Sequence, residues 1–475
     1  MYWRRRNVTF YHKNKVTGVF WDFMTKDLAF FEGFRQIYKE YPNEPAVGVG
    51  SFLTPALYVI DPVNIHHVVT ADFNSFNHRG IETNVNDLLA DNILFMNGNR
   101  WRIVRQHMTP LFTSTRLKSM YYIIDKSARD FITQLNSNPK LLTQNVQDTL
   151  STFCSAAICA AVFGVTTKSI FDSPFLDMSK EALSSNFITN LKFTLGNISP
   201  PVFKALKISF FKDHEKFFIG AIKEILRKRE QENAKKYDFA DLCVQLQSSG
   251  NMVDRSTGLE LAPTDELLAA QAFFFFVAGV DPAASAMFCA LVELGRNPKY
   301  LKRLHKEIDA TFEKHNSELS YDAINDMEFL EMALSESLRM HPPIGFLTRQ
   351  CVNDTVLPTG NIRVAKGTKI FTPIFELHHD ERYYPDPEVY NPERFSPENR
   401  HKIASVAFLP FGKGNRVCVG KRYATLQVKA GLVHLLRNFT VKTIVKDGGI
   451  RYSKQQVQVR LDNVDVELIP RDIKN

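Results

Sequence analysis

The 475-residue chain carries a net charge of +8, with 44% hydrophobic and 23% charged residues, the ordinary balance of a globular core. The basic excess points to an anionic partner, a membrane surface or an acidic protein, and not to nucleic acid, for which no recognition motif accompanies it. Cys154, Cys159, Cys243, Cys289, Cys351 and Cys418 are scattered without C-x-x-C pairs, which excludes a disulfide framework.

At this length about three average domains would fit. No Gly/Ser/Pro-rich linker and no internal repeat divides the chain, so one large domain is expected over 31–475. Residues 1–30 are read as a basic, membrane-proximal segment. The opening Met1-Tyr-Trp-Arg-Arg-Arg6 is the kind of cluster that flanks a transmembrane helix on its cytosolic side. The uncharged run Thr149 to Thr167 is laced with Ser and Thr and reads as a buried helix.

Residues 46 to 70 spell a short strand pair, then a helix start at Asp61-Pro62. Trp101 and Arg105 share one face of a helix that runs toward Pro110. Pro200 to Phe211 is apolar with interspersed lysines, and a basic helix ending near Arg227-Lys-Arg follows. That stretch suits a surface segment or a dip into the membrane interface. The longest helix is capped at Thr264 and runs to Leu294, about 31 residues or roughly 46 Å. Apolar on nearly all sides, it must be buried. One further helix spans Tyr321 to Arg339, with Glu336 and Arg339 paired on one face. Glu224 and Arg227 share that E-x-x-R spacing, so the spacing alone decides nothing. Strands are expected near Ile362 to Val364 and Lys369 to Phe371, and the period-two runs 456–461 and 464–468 read as a hairpin.

The stretch Phe411-Gly-Lys-Gly-Asn-Arg-Val-Cys-Val-Gly420 carries one cysteine on a loop that enters a helix at Lys421. Glycine supplies φ > 0 and close approach to a bulky partner. Helix N–H dipoles and Arg416 are expected to favour the Cys418 thiolate. One shielded thiolate suits a single axial bond to haem iron better than a zinc cage. The pattern F-x-x-G-x-R-x-C-x-G resembles the signature of the cytochrome P450 haem-thiolate family. E-x-x-R and Pro392-Glu-Arg-Phe395 precede it in the family's order, and the likeness extends over most of the chain.

That resemblance implies a mainly α fold with small β-sheets around haem b, with Cys418 as the metal ligand. It also implies that Arg79, Trp101, Arg105, Arg349 and Arg416 serve the haem propionates, and that Ala278, Gly279, Phe411 and Gly420 border the cofactor. Glu336, Arg339 and Arg394 would form a buried charge triad behind it. Phe273, Phe274, Phe276, Val277, Ile344 and Phe346 are expected to line the substrate pocket. The implied activity is insertion of one atom of O2 into a lipophilic substrate, xenobiotic or endogenous, with NADPH as electron source. Its partners would be NADPH–cytochrome P450 reductase, which Lys413, Lys421 and Arg422 suit, and cytochrome b5. The expected site is the cytosolic face of the endoplasmic reticulum membrane, as in microsomal, insect-type xenobiotic-metabolising members. Those members carry an N-terminal anchor, so truncation at such an anchor is expected.

One departure stands out. The family's A-G-x-[D/E]-T reads Ala278-Gly-Val-Asp-Pro282, with proline in place of threonine. Proline leaves the Ala278 carbonyl without its helical donor. Proton delivery would fall to Asp281, to water in the groove that Pro282 opens, and to Ser285 a turn later. The same departure leaves two other readings: a haem-thiolate isomerase or dehydratase acting on a peroxide substrate without reductase, and a non-catalytic haem-binding protein.

Overall fold

A computed structural model describes residues 2–13, 16–25, 28–52, 54–164, 175, 177–178, 181, 187–232, 236–454 and 456–472. Two helices, α1 (Val19–Thr25) and α2 (Phe30–Glu40), precede a hairpin of β1 (Ala46–Val49) and β2 (Ala56–Val59). Further on lie α3 (Gly98–Met108), α4 (Ser114–Ser137) and α5 (Val146–Ile158), then α6 (Phe187–Ile198), α7 (Pro200–Ala205) and α8 (Glu215–Gln231). The long α9 (Asp265–Arg296) leads to α10 (Pro298–Lys314), α11 (Glu328–Met340), β3 (Phe346–Gln350) and β4 (Lys369–Pro373). The chain ends with α12 (Lys421–Asn438), β5 (Phe439–Val445) and β6 (Val464–Pro470). The fold is mostly helical with small sheets, as expected.

The largest sheet has the order β1-β2-β4-β3. Its central pair is parallel, with Leu57 opposite Ile370, and β3 is antiparallel to β4, with Arg349 opposite Ile370. All four residues of β1 and of β2 are buried, because the amino-terminal region packs on them. Trp3 is buried, residues 9–11 bond to the Gly48 backbone, and Phe20, Phe23, Phe30 and Phe34 form an aromatic cluster with Phe346 and Phe371. Trp3, Val8, Tyr11, Val19, Phe20 and Phe23 thus anchor the amino-terminal region in the core.

Helix α9 crosses the other, larger cluster. Thr264 caps it, its Oγ1 accepting the Leu267 N–H at 3.2 Å, and the helix continues through Pro282 without a break. Two helical spans, Val146–Phe163 and Asp265–Arg296, are long and apolar enough to cross a membrane, yet 78% and 83% of their apolar windows are buried. They are core helices; residues 165–167 of the expected uncharged run lie outside the described residues.

Two expectations are corrected. The helix expected over Tyr321 to Arg339 is two, Tyr321–Asn325 and Glu328–Met340. The carboxylate of Glu307 accepts the N–H groups of Phe329 and Leu330 at 2.8 and 2.9 Å, which serves the start of α11 and favours the break. The runs 456–461 and 464–468 do not pair with each other. β6 pairs with β5, Val464 opposite Val445, and Leu461–Asp462 pairs with Arg451–Tyr452. Asn463 has φ of 62° and its Nδ2 donates to the Gly449 carbonyl at 2.7 Å, turning the chain between the two sheets.

Candidate active site

The cysteine loop is closed by a backbone bond from Cys418 N–H to the Phe411 carbonyl at 2.9 Å. Gly412 and Gly414 have φ of 70° and 72°, and a Cβ on Gly414 would run into the Val69 carbonyl oxygen. Gly420, expected to need the same freedom, has φ of −88°. Its backbone N–H instead lies near enough to the Cys418 thiol to oppose the effect of burial on it.

Cys418 is solvent-accessible, yet loss of hydration is the leading influence on its thiol, so Sγ faces a space largely enclosed by protein. Burial raises the thiol above its usual range, and the Gly420 N–H, Arg105, Arg79 and Lys421 oppose it only in part. The expectation that Arg416 and helix dipoles already favour thiolate is corrected. The net direction is toward thiol until a stronger cation approaches.

Around this loop the fold gathers four guanidiniums. Arg349 and Arg416 are 2% and 3% exposed, while Arg79 and Arg105 keep part of their surface. Arg416 lies 3.9 Å from the Trp101 ring centroid and donates to the carbonyls of Asn77 and Met96 at 3.0 and 2.9 Å. Arg79 donates to the Arg416 carbonyl at 3.1 Å, and Arg349 to that of Thr348 at 2.8 Å. Arg79 Nε and Arg416 Nη1 are buried without a partner. Among the described residues no carboxylate lies within ion-pair distance of any of the four.

Burial, together with Arg79, Arg349 and Arg105, pulls Arg416 down to about 8, and burial with Arg79 pulls Arg349 down to about 9. Arginine keeps its proton in proteins, so this strain amounts to a demand for negative charge. Two carboxylates in an apolar body would meet it. The donor set therefore fits haem propionates, and the Cys418 sulfur beside it is a donor that an iron could take.

Helix α9 packs on α12, the helix that follows the cysteine loop. Between Leu267 and Leu294 only Phe274, Ala278, Gly279 and Pro282 escape full burial. Phe274, Ala278 and Pro282 are four apart, so they form a single face. Gln427 of α12 donates to the Gly279 carbonyl at 3.2 Å, which brings that face over the cysteine's own helix. Pro282 lies in the stripe, beside the Ala278 carbonyl that it leaves without a helical donor.

Asp281 and Ser285 look elsewhere. Asp281 is buried and ion-paired with Arg460, and Ser285 Oγ lies 3.5 Å from the Val459 carbonyl. Sequence reasoning missed Arg460, since no local spacing links it to Asp281. The pocket expectation also needs correction. Phe273 packs on Phe211 and Phe218, both at 4.9 Å, and Phe276 and Val277 are buried. Phe346 lies in the aromatic cluster with Phe30, at 4.9 Å. Phe274 is accessible, and so is Ile344, which bridges to Gln458.

Behind the loop, Glu336 and Arg339 are fully buried and doubly bonded, at 2.8 and 2.9 Å, and Arg394 Nε reaches Glu336 at 3.3 Å. Arg339 also donates to the His378 carbonyl at 2.7 Å. His378 Nδ1 faces the Arg339 carbonyl, and its Nε2 accepts the Leu409 N–H at 2.8 Å. Burial and then Arg339 hold His378 down to about 3, so it is neutral. The triad thus reaches the cysteine loop through His378, a role that sequence spacing did not reveal.

The cytochrome P450 family model matches residues 17–463. The chain is 31% identical to "Probable cytochrome P450 6a13" of Drosophila melanogaster, over 92% of this chain and 88% of the relative. It is 32% identical to "Cytochrome P450 6B5" of Papilio glaucus, over 94% of both, and 30% identical to "Cytochrome P450 6k1" of Blattella germanica, over 93% and 87%. With the cysteine loop, the triad and the arginine cluster in place, the chain belongs to the cytochrome P450 family, as a monooxygenase of the oxidoreductase class, similar to insect members.

Proposed function

We propose that the protein inserts one oxygen atom from O2 into lipophilic substrates, xenobiotics among them, with NADPH electrons delivered by a reductase. The observation that carries this is the guanidinium cluster without counter-charge beside Cys418, under the one accessible face of α9. Arg79, Arg105, Arg349 and Arg416 would hold the propionates of haem b, with Trp101 stacked beneath Arg416. Cys418 would bind the iron, while Ala278, Gly279, Phe411 and Gly420 border the ring. When bound, the haem supplies oxygen activation, with thiolate donation favouring O–O cleavage.

The chain's own task is then to admit substrate, exclude bulk water and move protons. Phe274 and Ile344 offer apolar surface to the substrate. The open Ala278 carbonyl beside Pro282 can hold a water for proton transfer, and Asp281 with Ser285 form the polar reserve behind it. Lys421 and Arg422 are exposed near the thiolate loop and suit an acidic reductase or cytochrome b5.

Exposed Trp21, Phe187 and Ile188 lie on α1 and α6, which pack together, and exposed Leu206 directly follows α7, which packs on α6. Such a face fits insertion into the cytosolic side of the endoplasmic reticulum membrane, with the amino-terminal basic residues at its headgroups.

The test is turnover with added reductase and NADPH on lipophilic compounds, with peroxide counted per NADPH. Pro282→Ala restores a donor to the Ala278 carbonyl without adding a hydroxyl, so peroxide release is expected to rise severalfold. An unchanged ratio removes Pro282 from proton delivery. Turnover of organic peroxides alone, with no NADPH-driven product, would replace this reading with the isomerase.

A further inference from the structure

Helices α5, α9 and α12 meet at one buried amide. Gln427, on the second turn of α12, is fully buried, and its Nε2 donates to the Gly279 carbonyl at 3.2 Å. The Cys154 thiol of α5 is its other polar neighbour. The helices come this close because side chains are missing where they touch. A Cβ on Gly279 would lie 3.1 Å from Ile158 Cδ1 of α5. One on Gly431 would lie 2.5 Å from Met287 Cε of α9 and from Phe153 Cε1 of α5.

The amide falls on the weakest turn of α9. Pro282 has no N–H for the Ala278 carbonyl, and glycine, here Gly279, holds a helix less firmly than any residue but proline. Ala278 is exposed, and Gly279 and Pro282 are half-buried. One carbonyl of the turn thus lacks a helical donor, while the next is held from the side by α12. A carbonyl inside a helix points along the axis to the N–H four residues on. A group that bonds it laterally draws it outward and bends the helix at that point. Drawn toward α12, the Gly279 carbonyl keeps the turn from closing over the gap that Pro282 leaves. Asp281 and Ser285 do not share this task, since they turn to Arg460 and to the Val459 carbonyl.

We infer that Gln427 is a positioning residue for oxygen insertion: its amide braces the Gly279 carbonyl and so holds open the groove at the Ala278 carbonyl where water moves protons. The inference deepens the monooxygenase reading above and rests on it. Fully buried, Gln427 offers no surface to a substrate and acts through the backbone of α9. It also ties that groove to the helix that begins at the cysteine loop.

The test is a double-mutant cycle on the full-chain holoenzyme. Gln427→Met keeps the length of the side chain and removes the donor. Gln427→Asn keeps the amide but is one methylene too short to reach the carbonyl. Each is made in wild type and in Pro282→Ala, which closes the groove. Two quantities are read: peroxide released per NADPH, and the C–O stretching frequency of the reduced, carbon monoxide-bound protein. The stretch senses distal polar groups without NADPH, reductase or substrate. Both substitutions are expected to raise peroxide release about two- to fivefold in wild type, the scale of one neutral hydrogen bond, and to shift the stretch. In Pro282→Ala neither quantity is expected to change further. Equal changes in both backgrounds would show that Gln427 only supports packing, and an unmoved stretch in both would equally overturn the inference. Because the stretch needs no turnover, absence of NADPH-driven product would count against the monooxygenase reading and not against the brace, so the two failures are told apart.

Discussion

Glu376 is a buried acid with the Tyr58 hydroxyl as its polar neighbour. Burial pushes its carboxyl up to about 8, from 4.5 when unfolded. A carboxyl that holds its proton more tightly when folded stabilises fully below pH 4.5 and loses that contribution as pH rises toward 8. The loss near pH 7 is of the order of 3 kcal/mol. Glu376→Gln is therefore expected to denature at higher temperature than wild type at pH 7 to 8, with the gap closing near pH 5. A gap independent of pH would contradict the assignment. At this scale the sequence was informative where one residue type has one use, as with Cys418 and the arginines. It was weak for Phe273, Phe274 and Phe276, because which aromatic faces a space depends on helix phase, and only Phe274 shares the phase of Ala278 and Pro282.

At the scale of elements, the path Glu336–Arg339–His378–Leu409 ties α11 to the loop that carries Cys418. Removing one charge of a buried pair strands the other. Glu336→Gln is expected to cost about 3–5 kcal/mol in a denaturant titration and to loosen haem retention. A loss under about 1 kcal/mol would mean that the carbonyls of His378 and Pro387 suffice for Arg339. The order of E-x-x-R, P-E-R-F and cysteine loop was legible because those motifs are local. The carboxy-terminal pairing was not. Period two shows that a strand exists, but β6 takes β5 as its partner across a turn set by Asn463, which no alternation encodes.

At the scale of the molecule, the heavy phenylalanine content divides between the α9 core and the aromatic cluster on the β1–β4 sheet. Tyr11, Val19, Phe20 and Phe23 of the amino-terminal region belong to the second, and Trp3 and Val8 to a further cluster with Leu57, Val59 and Ile370. The mainly α fold was legible from the chain, and the cysteine loop that carries the proposed haem ligand was legible as a motif. The Asp281–Arg460 pair arises only when distant segments meet. The proposed reaction centre rests on one sulfur ligand. The decisive measurement is the absorption spectrum of the reduced, carbon monoxide-bound holoenzyme for wild type and Cys418→Ser. Wild type is expected to show the thiolate-type band, and Cys418→Ser to lose it through a shifted spectrum or loss of haem. A variant that keeps both the haem and the wild-type band would contradict Cys418 as the axial ligand.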